Sequence, residues 1–365
     1  MELNIDKTTW KKVKLGDVAI EYSKRINNPS DSEFDRFIGS SNIKQWDFRI
    51  KSWESTSSVT SAMKLFEPND YLLVRRSLYA SDFRERAPRA SFHGVCSGDI
   101  LTIKENKDFI ADGFLIGILN SPALWKYVVA NGSGSITRRI HWKDLANYEF
   151  LLPPKDKQKE IARLLWAMDE VIEKELIVLT KVEIIRESLY FQFKKYNSQW
   201  IKYKIDDLMN FTYGKALKES DRIEGDNSVV TSSGIQGTHK DFLTQGPGIV
   251  VGRKGNVGQV TWIENNFWTT DTAYYISVKK NFMHIPLRFF YYVLKSVHLE
   301  NLSVSTAVPG LNRDDALMTK VFLPSENEII DYLNKFQSLD DEIIQIEHKI
   351  QSSKSLQKSI INQIF

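Results

Sequence analysis

Five arginines, Arg75, Arg76, Arg84, Arg86 and Arg89, fall within fifteen residues. A guanidinium is planar, permanently charged and forked, so a cluster of this kind suits phosphate oxygens. A solvated surface with local partners such as Asp82 and Glu85 is an equally physical reading of the same residues. A second basic spot, Arg253-Lys254, opens the glycine-rich segment Gly252-Arg-Lys-Gly-Asn-Val-Gly258. That segment lacks the glycine-lysine-hydroxyl ending of a P-loop and the spacing of a dinucleotide turn. Lying between two strand-like runs, it reads as a hairpin turn with Gly255 or Asn256 at positive φ and the basic pair at its tip, within reach of DNA. Catalytic constellations are missing: the sequence has no His-Glu-x-x-His, Gly-x-Ser-x-Gly or helicase-like motif. Asp206-Asp207 and Asp314-Asp315 mark segment starts, where a helix N-terminus favours negative charge, and they receive no catalytic role. The six histidines lie far apart, and the single cysteine, Cys96, excludes an internal disulfide framework and a thiolate metal cluster.

The elements that must carry these residues begin with a chain of 365 residues, 26% charged and 42% hydrophobic. That is too long for one small core and suggests two or three domains. The longest apolar run, Ile110 to Leu119, is short and contains Asp112, so no membrane span is expected. The acidic, polar start argues against a secretory signal, and the expectation is a cytoplasmic, metal-free protein. The net charge of +3 names no partner by itself. The positive excess is spread over residues 1–195 and 196–324, whereas residues 325–365 are acidic, with four Lys against seven Asp and Glu.

The chain repeats itself. Trp10-Lys-Lys-Val-Lys-Leu-Gly-Asp17 is echoed by Trp200-Ile-Lys-Tyr-Lys-Ile-Asp-Asp207, and Asp144 to Pro153 by Asp315 to Pro324. After each second echo comes a long segment free of Gly and, beyond Pro154, of Pro. Both segments carry one apolar register with steps of four and three. The first is Ile161, Leu165, Met168, Ile172, Glu175, Leu179, Val182, Arg186, Leu189 and Phe193. The second, shifted by 171, is Tyr332, Phe336, Leu339, Ile343, Ile346, Ile350, Ser353, Gln357, Ile360 and Ile364. This is a coiled-coil seam. Each helix of roughly forty residues would be ~60 Å long and needs a helical partner, which the other repeat supplies. Chain connectivity favours antiparallel pairing with one globular domain at each end. In that register Arg186 meets Leu339 and Asp340, and the expectation is that it reaches Asp340; an arginine snorkelling into solvent is the alternative.

The predicted organisation is α+β: domains at 1–150 and 197–324, separated by helices at 151–196 and 325–365 that pair antiparallel as a pseudo-twofold coiled coil. Strands are predicted at Asp70–Arg75, Asp99–Lys104, Gly248–Gly252, Gly258–Ile263 and Ala273–Val278, around an antiparallel sheet. Short helices are predicted at Gly113–Asn120, Ala123–Ala130 and Leu287–Ser296.

Taken in order, these motifs resemble the specificity (S) subunit of type I restriction–modification systems over nearly the whole chain. The first copy carries Trp10, Leu15-Gly16-Asp17, Leu151-Leu-Pro-Pro154 and Gln158-Lys-Glu-Ile161; the second carries Trp200, Phe322-Leu-Pro324 and Glu328-Ile-Ile. Asp70 to Arg76, Gly94 to Ile100, Gly252 to Gly258, Trp268 to Thr272 and Val308 to Arg313 also look like family elements. Lys157, Ser325 and Ile329 depart from the pattern. These departures lie where the family docks its methyltransferase subunits, and so leave partner identity open. The resemblance implies a non-catalytic reader of double-stranded DNA whose two target recognition domains each take half of a split site. It implies no cofactor bound by this chain: two methyltransferase subunits hold S-adenosylmethionine, and restriction subunits, where present, use ATP and Mg. For that role the candidate DNA contacts are Arg75, Arg76, Arg84, Arg86, Arg89, Arg138 and Arg139 in the first domain. In the second they are Arg253, Lys254, Asn256, Gln259, Asn312 and Arg313. Arg and Asn/Gln are favoured because they can bond guanine and adenine edges in bidentate fashion. A helical scaffold that ignores DNA and a self-contained methyltransferase are the competing classes; the second would need an Asn/Asp-Pro-Pro-Tyr/Phe motif, which Asn28-Pro29-Ser30 fails to provide.

Overall fold

The computed structural model describes residues 6–77, 84–134, 137–194, 199–302 and 310–365. The chain divides into two compact units, one of residues 1–177 and 348–365, the other of residues 178–347. The unit boundaries therefore fall inside the two long helices, Lys155–Lys194 and Glu326–Ile364, and each unit owns a portion of both.

In the first unit the strand Ile100–Glu105 lies between Ala19–Glu21 and Tyr71–Val74, antiparallel to both. Successive residues of a strand point to opposite faces, and here both faces are covered. Tyr71 and Leu73 enter the larger core with Phe114, Leu115 and Trp125, while Leu72 and Val74 enter a smaller one with Ile38 and Phe66. That is why the segment reads as a continuous apolar run and not as an alternation. The smaller core is closed by a five-stranded sheet in which Arg36–Ile38 runs parallel to Gly94–Cys96. The second unit repeats the plan. Ala273–Val278 lies between Met209–Tyr213 and Gly248–Gly252, and Val260–Ile263 closes the hairpin. Ile249 and Val251 enter one core and Val250 the other. Thus, among the described residues, the sheets are several and small, and two strand pairs, including Asn227–Thr231 with Phe267–Thr269, are parallel, where an antiparallel sheet was predicted for the domain. The predicted short helices appear at Leu115–Leu119, Pro122–Asn131 and Leu287–Val297.

The twice-written start motif has a local cause. Lys11–Lys14 pairs with Glu149–Leu152, and Ile201–Lys204 with Lys320–Leu323, each joining the start of a domain to the strand that feeds a long helix. The next turn is capped in both copies: the Lys14 N–H donates to Asp17 at 2.8 Å and the Lys204 N–H to Asp207 at 2.7 Å. An N3 carboxylate satisfies a backbone donor there. Gly16 sits where a Cβ would come within 3.1 Å of the Ala146 Cβ.

The helical portions run antiparallel within each unit. In the first, Gln357 donates to the Leu165 carbonyl and Lys349 pairs with Glu175 at 2.5 Å. In the second, Tyr190 stacks on Phe336 at 4.7 Å and Phe193 meets Tyr332 at 5.2 Å. Ile161, Leu165, Ile172, Val182, Phe193, Phe336, Ile343, Ile346, Ile350 and Ile364 are buried, and Met168, Leu179, Leu189, Leu339 and Ile360 are half-buried. Arg186 donates to Asp340 at 3.2 Å, the expected contact. Asp340 also accepts from the Tyr292 hydroxyl at 2.7 Å, and Arg288 lies 3.6 Å away. The polar break in the seam is thus a network anchoring the helix pair to the domain helix Leu287–Val297. Among the described residues no helix is long and apolar enough to cross a membrane, and no group of His, Cys, Asp or Glu could hold a metal ion.

Candidate nucleic-acid interface

In the first repeat the edge strand Tyr71–Val74 leads into the short strand Arg76–Ser77, which pairs antiparallel with Arg138–Arg139 so that Arg76 faces Arg139. Like charges directly opposite on paired strands repel. Asp99 relieves the repulsion: its carboxylate takes Arg76 at 2.8 Å on one oxygen and Arg139 at 3.0 Å on the other. Asp99 is itself held by the turn Ser97–Asp99, where its N–H donates to the Ser97 hydroxyl. Arg75 belongs to the same cluster, its Nε donating to the Gly98 carbonyl at 3.0 Å. Arg138 is half-buried and reaches the Val129 carbonyl. The side chains of Arg76 and Arg139 stay 40% and 43% exposed, so each is partly open to solvent, although the Arg139 Nε is buried.

Three candidate arginines of the first domain remain, of which Arg86 accepts the Val74 N–H on its carbonyl at 3.0 Å. Arg84 is exposed and Arg86 half-buried, and the segment 78–83 before them, with Asp82, is outside the described residues. Arg89 departs from the sequence reading: its side chain is only 13% exposed and pairs with Asp112 at 2.6 Å, with Glu105 at 4.0 Å. It packs between the rings of Tyr71 and Trp166. Burial raises the Glu105 carboxyl above its ordinary range, against hydrogen bonds from the Tyr71 hydroxyl and the Gly113 and Leu115 N–H groups and against the Arg89 charge. Arg89 serves this internal pair and is not a surface contact.

In the second repeat the glycine-rich segment is the predicted hairpin connection, with Gly255 at φ +79° and Gly258 at φ +75°. Arg253 and Lys254 sit on its rising side, where Lys254 bridges Gly310 and the Leu311 N–H donates to the Arg253 carbonyl at 2.8 Å. The Tyr274 hydroxyl holds the same stretch through the Leu311 carbonyl at 3.0 Å. These bonds bring Asn312 and Arg313 beside Arg253 and Lys254, around a cleft of about 360 Å³. Its centre is Tyr213, 45% exposed, with the guanidiniums of Arg253 and Arg313 at 4.9 and 5.6 Å from its ring. Tyr213 was not among the sequence candidates; the only signal was its place at the end of a strand, beside Gly214. Of the motif Val308–Arg313, residues 308–309 are outside the described residues.

The amides behave differently from the expectation. The Asn312 side-chain oxygen accepts the Asp314 N–H at 2.8 Å as a helix N-cap, so one of its two lone pairs is already engaged. Asn256 and Gln259 bond to each other at 3.1 Å and line a second cavity of about 470 Å³, with Arg186, Lys295 and His298. The Lys295 ammonium is pushed below its ordinary range, first by burial and then by Arg186. The candidates of the second domain therefore form two sites.

The family model for the type I restriction modification DNA specificity domain matches the chain twice, over residues 7–181 and 197–354. The chain belongs to this family. The two matched segments begin with the same spacing as Trp10 and Trp200, so the repeat seen in the sequence is the repeat of the specificity domain. Among solved structures, the type I restriction-modification S subunit from M. genitalium is similar at a TM-score of 0.65 and 16% identity, covering 100% of this chain and 99% of its own. A chain from a structure on complex assembly and conformational transition of the type I R-M system is similar at 0.58 and 14% identity, covering 98% and 96%. At these identities the likeness establishes a shared fold: the specificity-subunit fold, two mixed α/β domains with a pair of long helices. No curated protein matches the chain in sequence.

Proposed function

We propose that this specificity-family chain reads double-stranded DNA through two recognition domains, each taking half of a split, asymmetric site, and that it performs no chemistry itself. The observation that carries the reading is the pair of exposed guanidinium sites: Arg76 and Arg139 around Asp99 in one repeat, Arg253 and Arg313 around Tyr213 in the other. Arg76, Arg139 and Arg253 lie in or just after strands and Arg313 opens a helix, and in both sites forked donors are positioned by neighbours. Methylation is assigned to modification subunits that bring S-adenosylmethionine, and cleavage, where it occurs, to restriction subunits using ATP and Mg. This division agrees with a sequence that carries none of the catalytic motifs sought.

Binding of the chain with its modification subunit to specific and random duplexes, over a salt series, tests the proposal. A sequence preference that survives competition and an affinity that falls steeply with salt are expected, because phosphate contacts release counterions. The chain alone is expected not to bind S-adenosylmethionine; binding would favour the self-contained methyltransferase. Equal affinity for all duplexes would favour a scaffold.

A further inference from the structure

Backbone hydrogen bonds match the exposed edge of one repeat to that of the other, residue by residue. The Arg75 N–H donates to the Asp99 carbonyl at 3.0 Å, and the Arg253 N–H to the Thr272 carbonyl at 2.8 Å. The Arg75 carbonyl accepts from the Ile140 N–H at 3.0 Å, and the Arg253 carbonyl from the Leu311 N–H at 2.8 Å. One residue along, Arg76 faces Arg139 and Lys254 faces Gly310. Ile140 and Leu311 are buried, so alternation along extended backbone sends the residues on either side of them outward. Those are Arg139 and His141 in the first repeat, and Gly310 and Asn312 in the second. His141 therefore stands where Asn312 stands; both are extended and exposed, and each precedes a short helix.

The same correspondence shows where the two edges differ. Arg313 is matched by Trp142, which is half-buried against the larger core of the first unit, so the forked donor of the second repeat has no equivalent there. Thr272 is matched by Asp99, whose carboxylate takes Arg76 and Arg139. The Asn312 oxygen is engaged by the Asp314 N–H, whereas the His141 ring caps no backbone N–H. The charges on the segments around His141 are Arg75, Arg76 and Arg139, countered by Asp99, with Lys143 and Asp144 on the helix that follows. A neutral imidazole offers one donor and one acceptor on different sides of its ring, so it takes one base-edge atom at a time where an amide can take two.

We propose that His141 is a specificity-determining residue of the first half-site, bonding a base edge from the place that Asn312 holds in the second repeat. The inference rests on the functional reading above, in which each repeat reads one half of a split site. It adds a residue that lies outside the arginine cluster and became visible only when the backbone bonds of the two repeats were matched.

The test is selection from a random duplex library by the full chain assembled with its modification subunit, with wild type, His141→Ala and His141→Asn compared. His141→Ala should lower discrimination at one base pair of one half-site about tenfold and leave the other half unchanged. The affected half should be the one that Arg76→Ala/Arg139→Ala also relaxes. His141→Asn controls for folding. Asparagine is a strong N-cap, so this variant should melt no lower than wild type while its preferred base at that single position changes. A residue that only starts a helix would leave the base preference of both variants as in the wild type, and that result would overturn the proposal. An equal loss at every position of the half-site would overturn it too, because a base reader acts at its own base pair. In either case a wild type that selects two half-sites leaves the functional reading standing. A wild type that selects no split site would overturn both.

Discussion

Asp99 ties the first-repeat arginines together, and its removal separates positioning from charge. Arg76→Ala or Arg139→Ala should each cost ~1–3 kcal/mol of specific binding if the side chain reads a base and relax one position of one half-site; a pure phosphate contact would chiefly reduce the salt slope. Asp99→Ala should instead keep or strengthen non-specific binding while lowering discrimination, because two facing guanidiniums lose the group that orients them. Competition binding with duplexes substituted base by base checks all three. Cys96 provides a probe of the same domain. Burial pushes its thiol up to about 12, so the native chain should resist alkylation near pH 8, where an unfolded thiol of ordinary pKa reacts. The neutral thiol favours the folded domain below about pH 8.5, and that contribution is lost as pH rises toward 12. Mass spectrometry after timed alkylation reads it, and rapid labelling of native protein would contradict the burial.

The two long helices are the elements most legible in the sequence, because a seam with steps of four and three over forty residues has few other uses. Register brings Arg186 to Asp340 and left solvent as its alternative; the structure shows the contact. What the register could not show is that Asp340 also takes Tyr292 and lies beside Arg288, since those residues reach it from a helix some fifty positions away in sequence. The central strands were legible as apolar runs, yet the parallel pairs were not, because pairing direction leaves no local trace. Arg89 looked like its neighbours in the cluster and differs only through the fold, which buries it against Glu105 and Asp112. Asn312 was chosen for its amide, and the Asn-Arg-Asp-Asp stretch was also a helix start whose cap uses that amide's oxygen. Asp340→Ala should destabilise the second unit by ~1–3 kcal/mol, leaving Arg186 without its carboxylate and Arg288 with the longer contact to Glu264 at 3.8 Å. A double-mutant cycle with Arg186→Ala in denaturant unfolding should return a coupling of ~1–3 kcal/mol; additivity would mean that the contact contributes nothing. Phe336→Ala, which removes a ring stacked on both Tyr190 and Tyr292, should cost ~3–5 kcal/mol by the same measurement.

At the scale of the whole molecule, the same plan is written twice with different residues at the exposed sites: Arg76 and Arg139 on Asp99 in one copy, and two arginines, a lysine and Tyr213 around a cleft in the other. Two readers of different chemistry should select unrelated half-sites, and the whole site should not be a palindrome. Exchange of residues 197–324 for the corresponding part of another family member should then change one half-site and preserve the other. The most direct measurement is selection from a random duplex library by the chain assembled with its modification subunit, repeated with Arg76→Ala/Arg139→Ala and with Arg253→Ala/Arg313→Ala. The expected result is two conserved half-sites separated by unselected base pairs, with the first variant relaxing one half and the second variant the other. One contiguous site, no selected sequence, or both variants relaxing the same half would contradict the reading of one half-site by each repeat.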